Sequence, residues 1–129
     1  MDAQPFNDED EGLSRFILHK RHIRSNRTIK SDAFIPHPHN ELSVTRHQSL
    51  SDEQIWEAGA AVAFETGLTL FGRGDTKARE YLKHGLLLVP AVRPGNPNHV
   101  NVSSWPRDKP AQKIIAVEIA AESKFVEAP

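Results

Sequence analysis

The sequence predicts an α+β fold: one domain, residues 13–129, in which a mixed sheet of about five to six short strands carries two main helices and one short helix. Three observations favour this class. The chain has 129 residues, which is the length of one ordinary domain. Segments with the two-residue period of a half-buried strand alternate with segments that carry helix caps. Short connections join these segments, as in a sheet with helices packed on it.

Six segments are predicted to be strands. Residues 42–47 alternate apolar and polar side chains, and residues 99–104 repeat this pattern. Residues 86–89 form the most apolar run of the chain and are predicted to be a central strand. Three further short runs complete the set: 15–18, 33–35 and 68–71.

Two long helices follow from their caps. Ser51 and Gln54 have the spacing of a capping box, and the helix that they begin ends at Gly67, which suits the left-handed conformation of a C-terminal cap. Asp108 is predicted to cap the second long helix, over residues 109–124.

Charge is distributed unevenly along a chain whose formal net charge is −1. Residues 1–12 contain five acids and no base, with almost no apolar content, so we expect a disordered acidic tail. Residues 13–50 contain seven Lys and Arg against two acids, together with five of the seven histidines. The tail either folds over this basic part and screens it or serves only as a solubilising terminus.

The main candidate for ligand binding is the basic segment 15–30, which has six Lys and Arg, two His and no acid. Cations at this density attract phosphates, so we expect an anionic partner: a phosphate-bearing ligand or an acidic protein surface, with nucleic acid as a further candidate. Only Phe16 and Phe34 are aromatic nearby, which disfavours stacking of single-stranded bases. The predicted ligand-binding residues are Arg21, Arg24, Arg27 and Lys30.

A dispersed set of polar residues at strand ends and in loops is the candidate catalytic group. Binding and catalytic groups of α+β domains commonly lie at such positions. A histidine with two arginines can transfer protons at a phosphate ester and stabilise the charge of the transition state. The candidates are His22, Arg46, Arg73, Asp75 and His99.

Each of these candidates also has a structural interpretation. Arg73 and Asp75 occupy the glycine-flanked turn 72–75, where Asp75 is predicted to cap a short helix over residues 76–84. Arg46 can pair with an acid such as Glu41, and His99 can close the proline-rich loop before it with a hydrogen bond.

The residue types that are absent exclude several classes of function. The chain has no cysteine, which excludes a disulfide scaffold, a Cys-ligated zinc site, an iron–sulfur cluster and thiol catalysis. A metal-dependent hydrolase using His37, His39 and His47 is a third hypothesis, but no carboxylate pair accompanies them, so we expect no metal and no cofactor. No apolar run reaches the roughly 18 residues of a membrane span, and polar residues follow Met1, so we expect a cytosolic protein without membrane association.

Several pieces of the chain resemble a family of short uncharacterised bacterial proteins. They are SRFILHKRH, LSVTR, QIWEAG, GRGD and HVNVSSWPRDKPAQ, and the resemblance covers most of residues 14–123. It implies a compact bacterial domain and indicates no chemistry, although it slightly favours the five candidate catalytic residues over other polar residues.

The sequence therefore predicts a small cytosolic binding or accessory domain that engages an anionic partner through residues 15–30. The alternative is a metal-independent phosphodiesterase or toxin-like RNase that uses His22 or His99 with Arg46 and Arg73. No pattern in the sequence specifies an oligomeric state.

Overall fold

A computed structural model describes residues 8–37 and 40–129 and confirms the α+β class, in a single domain. Within these residues six strands form one sheet, accompanied by three α-helices and two 3₁₀ turns. The strands are β1 (Gly12–Ile17), β2 (Leu42–Arg46), β3 (Gly72–Lys77), β4 (Leu87–Pro90), β5 (His99–Ser103) and β6 (Lys124–Glu127). The helices are α1 (Asp52–Thr66), α2 (Arg79–Leu82) and α3 (Lys109–Glu122), and the 3₁₀ turns are Lys20–His22 and Ser31–Phe34.

The strands lie in the order β4-β5-β2-β1-β3-β6, and each described pair of neighbours is antiparallel. This corrects the predicted mixed sheet. β2 and β3, which α1 connects, run in the same direction, but β1 lies between them and pairs antiparallel with both. The helical connection therefore crosses a strand instead of joining parallel neighbours.

β3 forms where the sequence predicts a turn. A Cβ atom at Gly72 would lie 2.6 Å from the Phe125 ring, and one at Gly74 would lie 2.6 Å from the Ile29 side chain. Glycine at these two positions therefore lets the Phe125 and Ile29 side chains pack closely against β3, and neither glycine forms a turn. Residues 68–71, predicted to be a strand, form the loop that precedes β3.

Three other predicted elements also differ from the structure. Asp75 lies within β3, and the short helix α2 begins after it without a side-chain cap. Ala33 and Phe34, from the predicted strand 33–35, belong to the 3₁₀ turn Ser31–Phe34, and Ile35 is its C-terminal cap. The turn directs both Ala33 and Phe34 into the main core. β6 was not predicted, because it follows α3 after a single residue.

Residues 8–11 belong to the domain, which corrects the predicted extent of the acidic tail (1–12). The carbonyl oxygen of Glu11 accepts a hydrogen bond from the backbone N–H of Ala78 at 2.8 Å, and the Asp10 carboxylate pairs with Arg79. Asp10 thus contacts the start of α2, whereas the Glu11 carboxylate pairs with Arg46, one of the cations of the basic part 13–50. The rest of the predicted tail, residues 1–7, lies outside the described residues.

The long helices have the predicted caps. Ser51 Oγ accepts a hydrogen bond from the Gln54 backbone N–H at 3.2 Å, the Gln54 side chain accepts one from the Ser51 N–H at 2.8 Å, and Gly67 has a φ of 71°. The Asp108 carboxylate accepts from the Ala111 N–H at 3.1 Å at the start of α3. Across the part of the chain that the structure describes, no helix has the length and apolarity to cross a bilayer.

Different helices cover the two faces of the sheet. α3 and the turn Ser31–Phe34 enclose the main core, to which β1 contributes Leu13 and Ile17. Phe16 points to the opposite face, where it packs with Ile55 and Ala58 of α1. A Cβ atom at Gly59 of α1 would lie 2.7 Å from Phe16 Cε1, so this glycine lets α1 approach the sheet.

We predict that Gly59→Ala lowers the free energy of unfolding, although alanine favours an exposed helix by about 1 kcal/mol over glycine. The added methyl group has to displace the buried Phe16 ring, which has little room to move. Chemical denaturation of the variant and the wild type measures the difference. A variant more stable than the wild type would contradict the close packing of α1 on Phe16.

Candidate functional site

Three of the four predicted ligand-binding residues line one cavity of about 610 Å³. Arg21, Arg24 and Arg27 line it together with Lys20, and we call this cavity the basic cleft. Lys30, the fourth predicted residue, is exposed at the start of the turn Ser31–Phe34 and does not line the cleft.

The loop that carries these cations is held by its own backbone and by one arginine. Ile23 and Ile29 form a β-bridge, and the Arg24 N–H donates to the Thr28 carbonyl oxygen at 2.8 Å. Arg24 Nη1 also donates to the Ile29 carbonyl oxygen at 2.9 Å. Ile29 is buried in the main core, so it anchors the loop while Arg21 and Arg27 remain exposed.

Two aromatic residues and one acid complete the basic cleft. Phe71 and Phe125 line it from the loop before β3 and from β6. The Arg27 guanidinium lies 5.2 Å from the centroid of the Phe125 ring and 2.7 Å from the Glu127 carboxylate. Sequence reasoning missed all three residues, since each is more than 40 positions from the basic loop. Phe34, which was counted as a nearby aromatic residue, is buried in the main core.

Two of the five candidate catalytic residues are in direct contact. Arg73 Nε donates to both oxygens of Asp75, at 3.1 and 3.2 Å. Arg46 is nearly buried and forms a two-pronged pair with Glu11, at 2.7 Å for each bond. The expected partner of Arg46, Glu41, is thus replaced by an acid of the segment predicted to be disordered.

The two candidate histidines lie apart from this pair. His22 is in the turn Lys20–His22, where its ring meets that of His19 with 5.2 Å between centroids. Burial, together with the charges of His19 and Arg21, lowers the pKa of His22. His99 Nδ1 donates to the Ala91 carbonyl oxygen at 2.8 Å, which is the loop-closing bond of the structural interpretation.

Asp75 is the centre of a polar cluster that sequence reasoning did not assemble. Ser14 lies opposite Asp75 across the β1–β3 pair, and its Oγ is 2.6 Å from Asp75 Oδ1. The same Oγ is 2.6 Å from His47 Nε2. Arg73 adds its two bonds to Asp75, so we call Ser14, His47, Arg73 and Asp75 the Asp75 cluster.

Arg73 joins the Asp75 cluster to helix α1. Its Nη2 donates to Asp52 Oδ1 at 2.6 Å, and its guanidinium lies 4.6 Å from the centroid of the Trp56 ring. Arg73 is 5% exposed, whereas Asp75 and His47 retain about a quarter of their side-chain surface. Solvent therefore reaches the cluster from the side of Asp75 and His47.

The described residues contain no group of three or more His, Asp or Glu side chains placed to hold a metal ion. His37 is exposed, and Pro38 and His39 lie outside the described residues. His47, the third residue of that hypothesis, belongs to the Asp75 cluster.

Comparisons of this chain with protein-family models, with curated proteins and with solved structures find no match. The resemblance to a bacterial family stays a prediction.

We predict that the free energy of unfolding decreases as the pH falls below about 6.5, in part because of His99. Burial lowers the pKa of His99, while the bond to Ala91 partly opposes this. The unfolded chain then takes up a proton at higher pH than the folded chain, and one such site contributes at most about 1.4 kcal/mol per pH unit.

Denaturation between pH 7.5 and 5.5 checks this. His99→Asn keeps a donor for the Ala91 carbonyl without a titrating ring, so its stability should depend less steeply on pH. His37→Asn, at an exposed histidine, is the control and should match the wild type. An unchanged slope for His99→Asn would show that His99 does not contribute.

Proposed function

We propose that this chain is a small binding domain that holds a phosphate-bearing anion in the basic cleft. The observation that supports the proposal is the convergence of four cationic side chains on one cavity with a single carboxylate among them. Guanidinium groups suit this task, since they remain charged and bind phosphate oxygens through paired N–H donors. A cytosolic location is part of the same proposal.

The shape of the cleft favours a small ligand over an acidic protein surface. A concave cavity of about 610 Å³ is in the usual range for small-molecule sites. Ile23, Phe71 and Phe125 supply apolar surface beside the cations, which suits an anion attached to an apolar body. Binding of an acidic protein would instead require a broader contact area.

The same aromatic residues do not favour single-stranded nucleic acid. The Phe125 ring already has the Arg27 guanidinium over it, and its edge contacts Gly72. Base stacking needs a free aromatic face, and Arg27 already occupies one face of this ring. Nucleic acid thus stays a lesser alternative for the basic cleft.

The enzymatic alternative with His22 or His99 as the base receives less support. His22 is surrounded by the cations of the basic segment, and His99 is buried with its Nδ1 bonded to Ala91. Neither has Arg46 or Arg73 among its described hydrogen-bond partners.

We predict that Lys20→Glu/Arg21→Glu weakens binding of inorganic pyrophosphate at least tenfold, because it reverses two charges that line the cleft. Both residues are exposed, so the fold should persist. Isothermal titration calorimetry at low salt measures the affinity, and Arg107→Glu/Lys113→Glu makes the same change in net charge away from the cleft. Equal weakening by the control pair, or no binding by the wild type, would overturn the proposal.

We further predict that Glu127→Gln tightens pyrophosphate binding several-fold. The Glu127 carboxylate lies 2.7 Å from Arg27 and competes with an incoming anion for that guanidinium. Glu122→Gln removes an exposed carboxylate that does not line the cleft and serves as the matched control. If both variants bind equally well, Arg27 is not part of the anion site.

A further inference from the structure

Another cavity lies between α1 and the proline-rich loop 91–98 that connects β4 to β5, and we call it the loop cavity. Its walls are residues of α1 and of this loop, together with Ser43 of β2 and His99 of β5. Its volume is about 280 Å³, just below the usual range of small-molecule sites, so it has room for one small molecule. It shares no lining residue with the basic cleft, so the two cavities can be tested separately.

His99 lines the loop cavity with a ring nitrogen that has no hydrogen-bond partner among the described residues. The residue is 4% exposed, and its Nδ1 donates to the Ala91 carbonyl oxygen at 2.8 Å. Burial lowers the pKa of His99, so the ring is largely neutral at pH 7. In the neutral ring with its proton on Nδ1, Nε2 carries a lone pair and can only accept a hydrogen bond.

Asn96 brings a second buried acceptor to the same cavity. Its Nδ2 donates to Thr45 Oγ1 at 2.9 Å, while its Oδ1 accepts no hydrogen bond from the described residues. Two backbone hydrogen bonds with Arg93, at 2.9 and 3.1 Å, hold Asn96 in the loop. Buried polar atoms are nearly always paired, so two unpaired acceptors in the wall of one cavity indicate a ligand that donates hydrogen bonds.

Two opposite charges also line the loop cavity. Glu65 near the end of α1 and Arg93 of the loop are both exposed, and neither forms an ion pair with any described residue. A ligand with a single charge would be attracted by one of them and repelled by the other. A ligand that carries both charges can pair with each.

We propose that the loop cavity binds a free α-amino acid with a small apolar side chain. Its ammonium group donates to Asn96 Oδ1, His99 Nε2 and the Glu65 carboxylate, and its carboxylate pairs with the Arg93 guanidinium. Val62 and Pro94, which also line the cavity, supply apolar surface for the side chain. A neutral alcohol or sugar would donate to the same acceptors but would leave Glu65 and Arg93 without partners.

The first test is isothermal titration calorimetry of the full chain with L-alanine, ethylamine and propionate. The three probes are similar in size, but ethylamine keeps only the ammonium group and propionate keeps only the carboxylate. We expect alanine to bind about tenfold more tightly than either of the others, because only alanine makes both sets of charged hydrogen bonds. No binding of alanine, or equal binding of ethylamine or propionate, would overturn the proposal.

The second test replaces the two exposed charges. Glu65→Gln and Arg93→Gln should each weaken alanine binding about fivefold, and the fold should persist because both side chains are exposed. Glu57→Gln, on the exposed surface of α1, and Arg107→Gln, after β5, make the same charge changes outside the cavity and should bind alanine as the wild type does. Unchanged affinity in either cavity variant, or equal weakening in its control, would contradict the assigned contacts.

The buried acceptors are tested by ¹⁵N NMR of the histidine rings. Alanine should shift the resonance of His99 Nε2, which gains a hydrogen bond, while Nδ1 keeps its proton. A resonance of Nε2 that saturating alanine leaves unchanged would show that the ammonium group does not reach His99 and would overturn the proposal. Pyrophosphate binding at the basic cleft uses a different probe, so each proposal stands or fails alone.

Discussion

The buried guanidinium of Arg73 is the constraint on which this half of the molecule depends. A charge that is 5% exposed is stable only with partners, and Arg73 takes them from both layers. Asp75 lies on its own strand, while Asp52 and Trp56 lie on the first turns of α1. The Arg73 guanidinium binds Asp75 of β3 and Asp52 of α1 at the same time. The start of α1 is therefore fixed over β3, and Asp75 is oriented toward Ser14. The rest of α1 then needs only a close approach to Phe16, which Gly59 permits.

The two candidate sites use different physical means to gather charge. The basic cleft takes its four cations from residues 20–27, where a short loop anchored by Ile29 presents them outward. Side chains in such a loop remain solvated, so their charges cost little and act on an incoming anion. The Asp75 cluster lies mostly beneath α1, where each polar group needs a hydrogen-bond partner. Its chemistry therefore depends on geometry, whereas that of the cleft depends on charge density.

The sequence predicted the features that depend on neighbouring residues and missed those that depend on contacts across the sheet. The caps of α1 and α3 are local patterns, and the structure confirms them. β2 is also confirmed as a strand, although burial alternates only from Leu42 to Val44, because Thr45 and Arg46 are both buried. The cations of the cleft are contiguous and were found, but Phe71 and Phe125 reach it only through the sheet. β3 was missed because its glycines resemble a turn when their neighbours are unknown. Because residues 72–75 were predicted to be a turn, Asp75 was assigned to a helix cap. Its contact with Ser14 depends on the β1–β3 pairing and could not be predicted without it.

The register of β1 against β3 links the fold to the chemistry of the Asp75 cluster. Ser14 lies opposite Asp75, and Phe16 lies opposite Arg73. A slip of one residue would place Leu13 and Ile17, both in the main core, on the face beneath α1, and would remove Ser14 from Asp75. The apolar side of β1 therefore selects the register in which Ser14 meets Asp75 on the polar side.

The hydrogen bond between Ser14 and Asp75 contributes to the stability of the sheet. The fold therefore accounts for these two residues whether or not the cluster has a function. His47 differs, since a quarter of its side chain is exposed and its hydrogen bond to Ser14 lies outside the β1–β3 pairing. His47 is therefore the residue of the cluster that the fold explains least, and its substitution distinguishes a functional role of the cluster from a purely structural one.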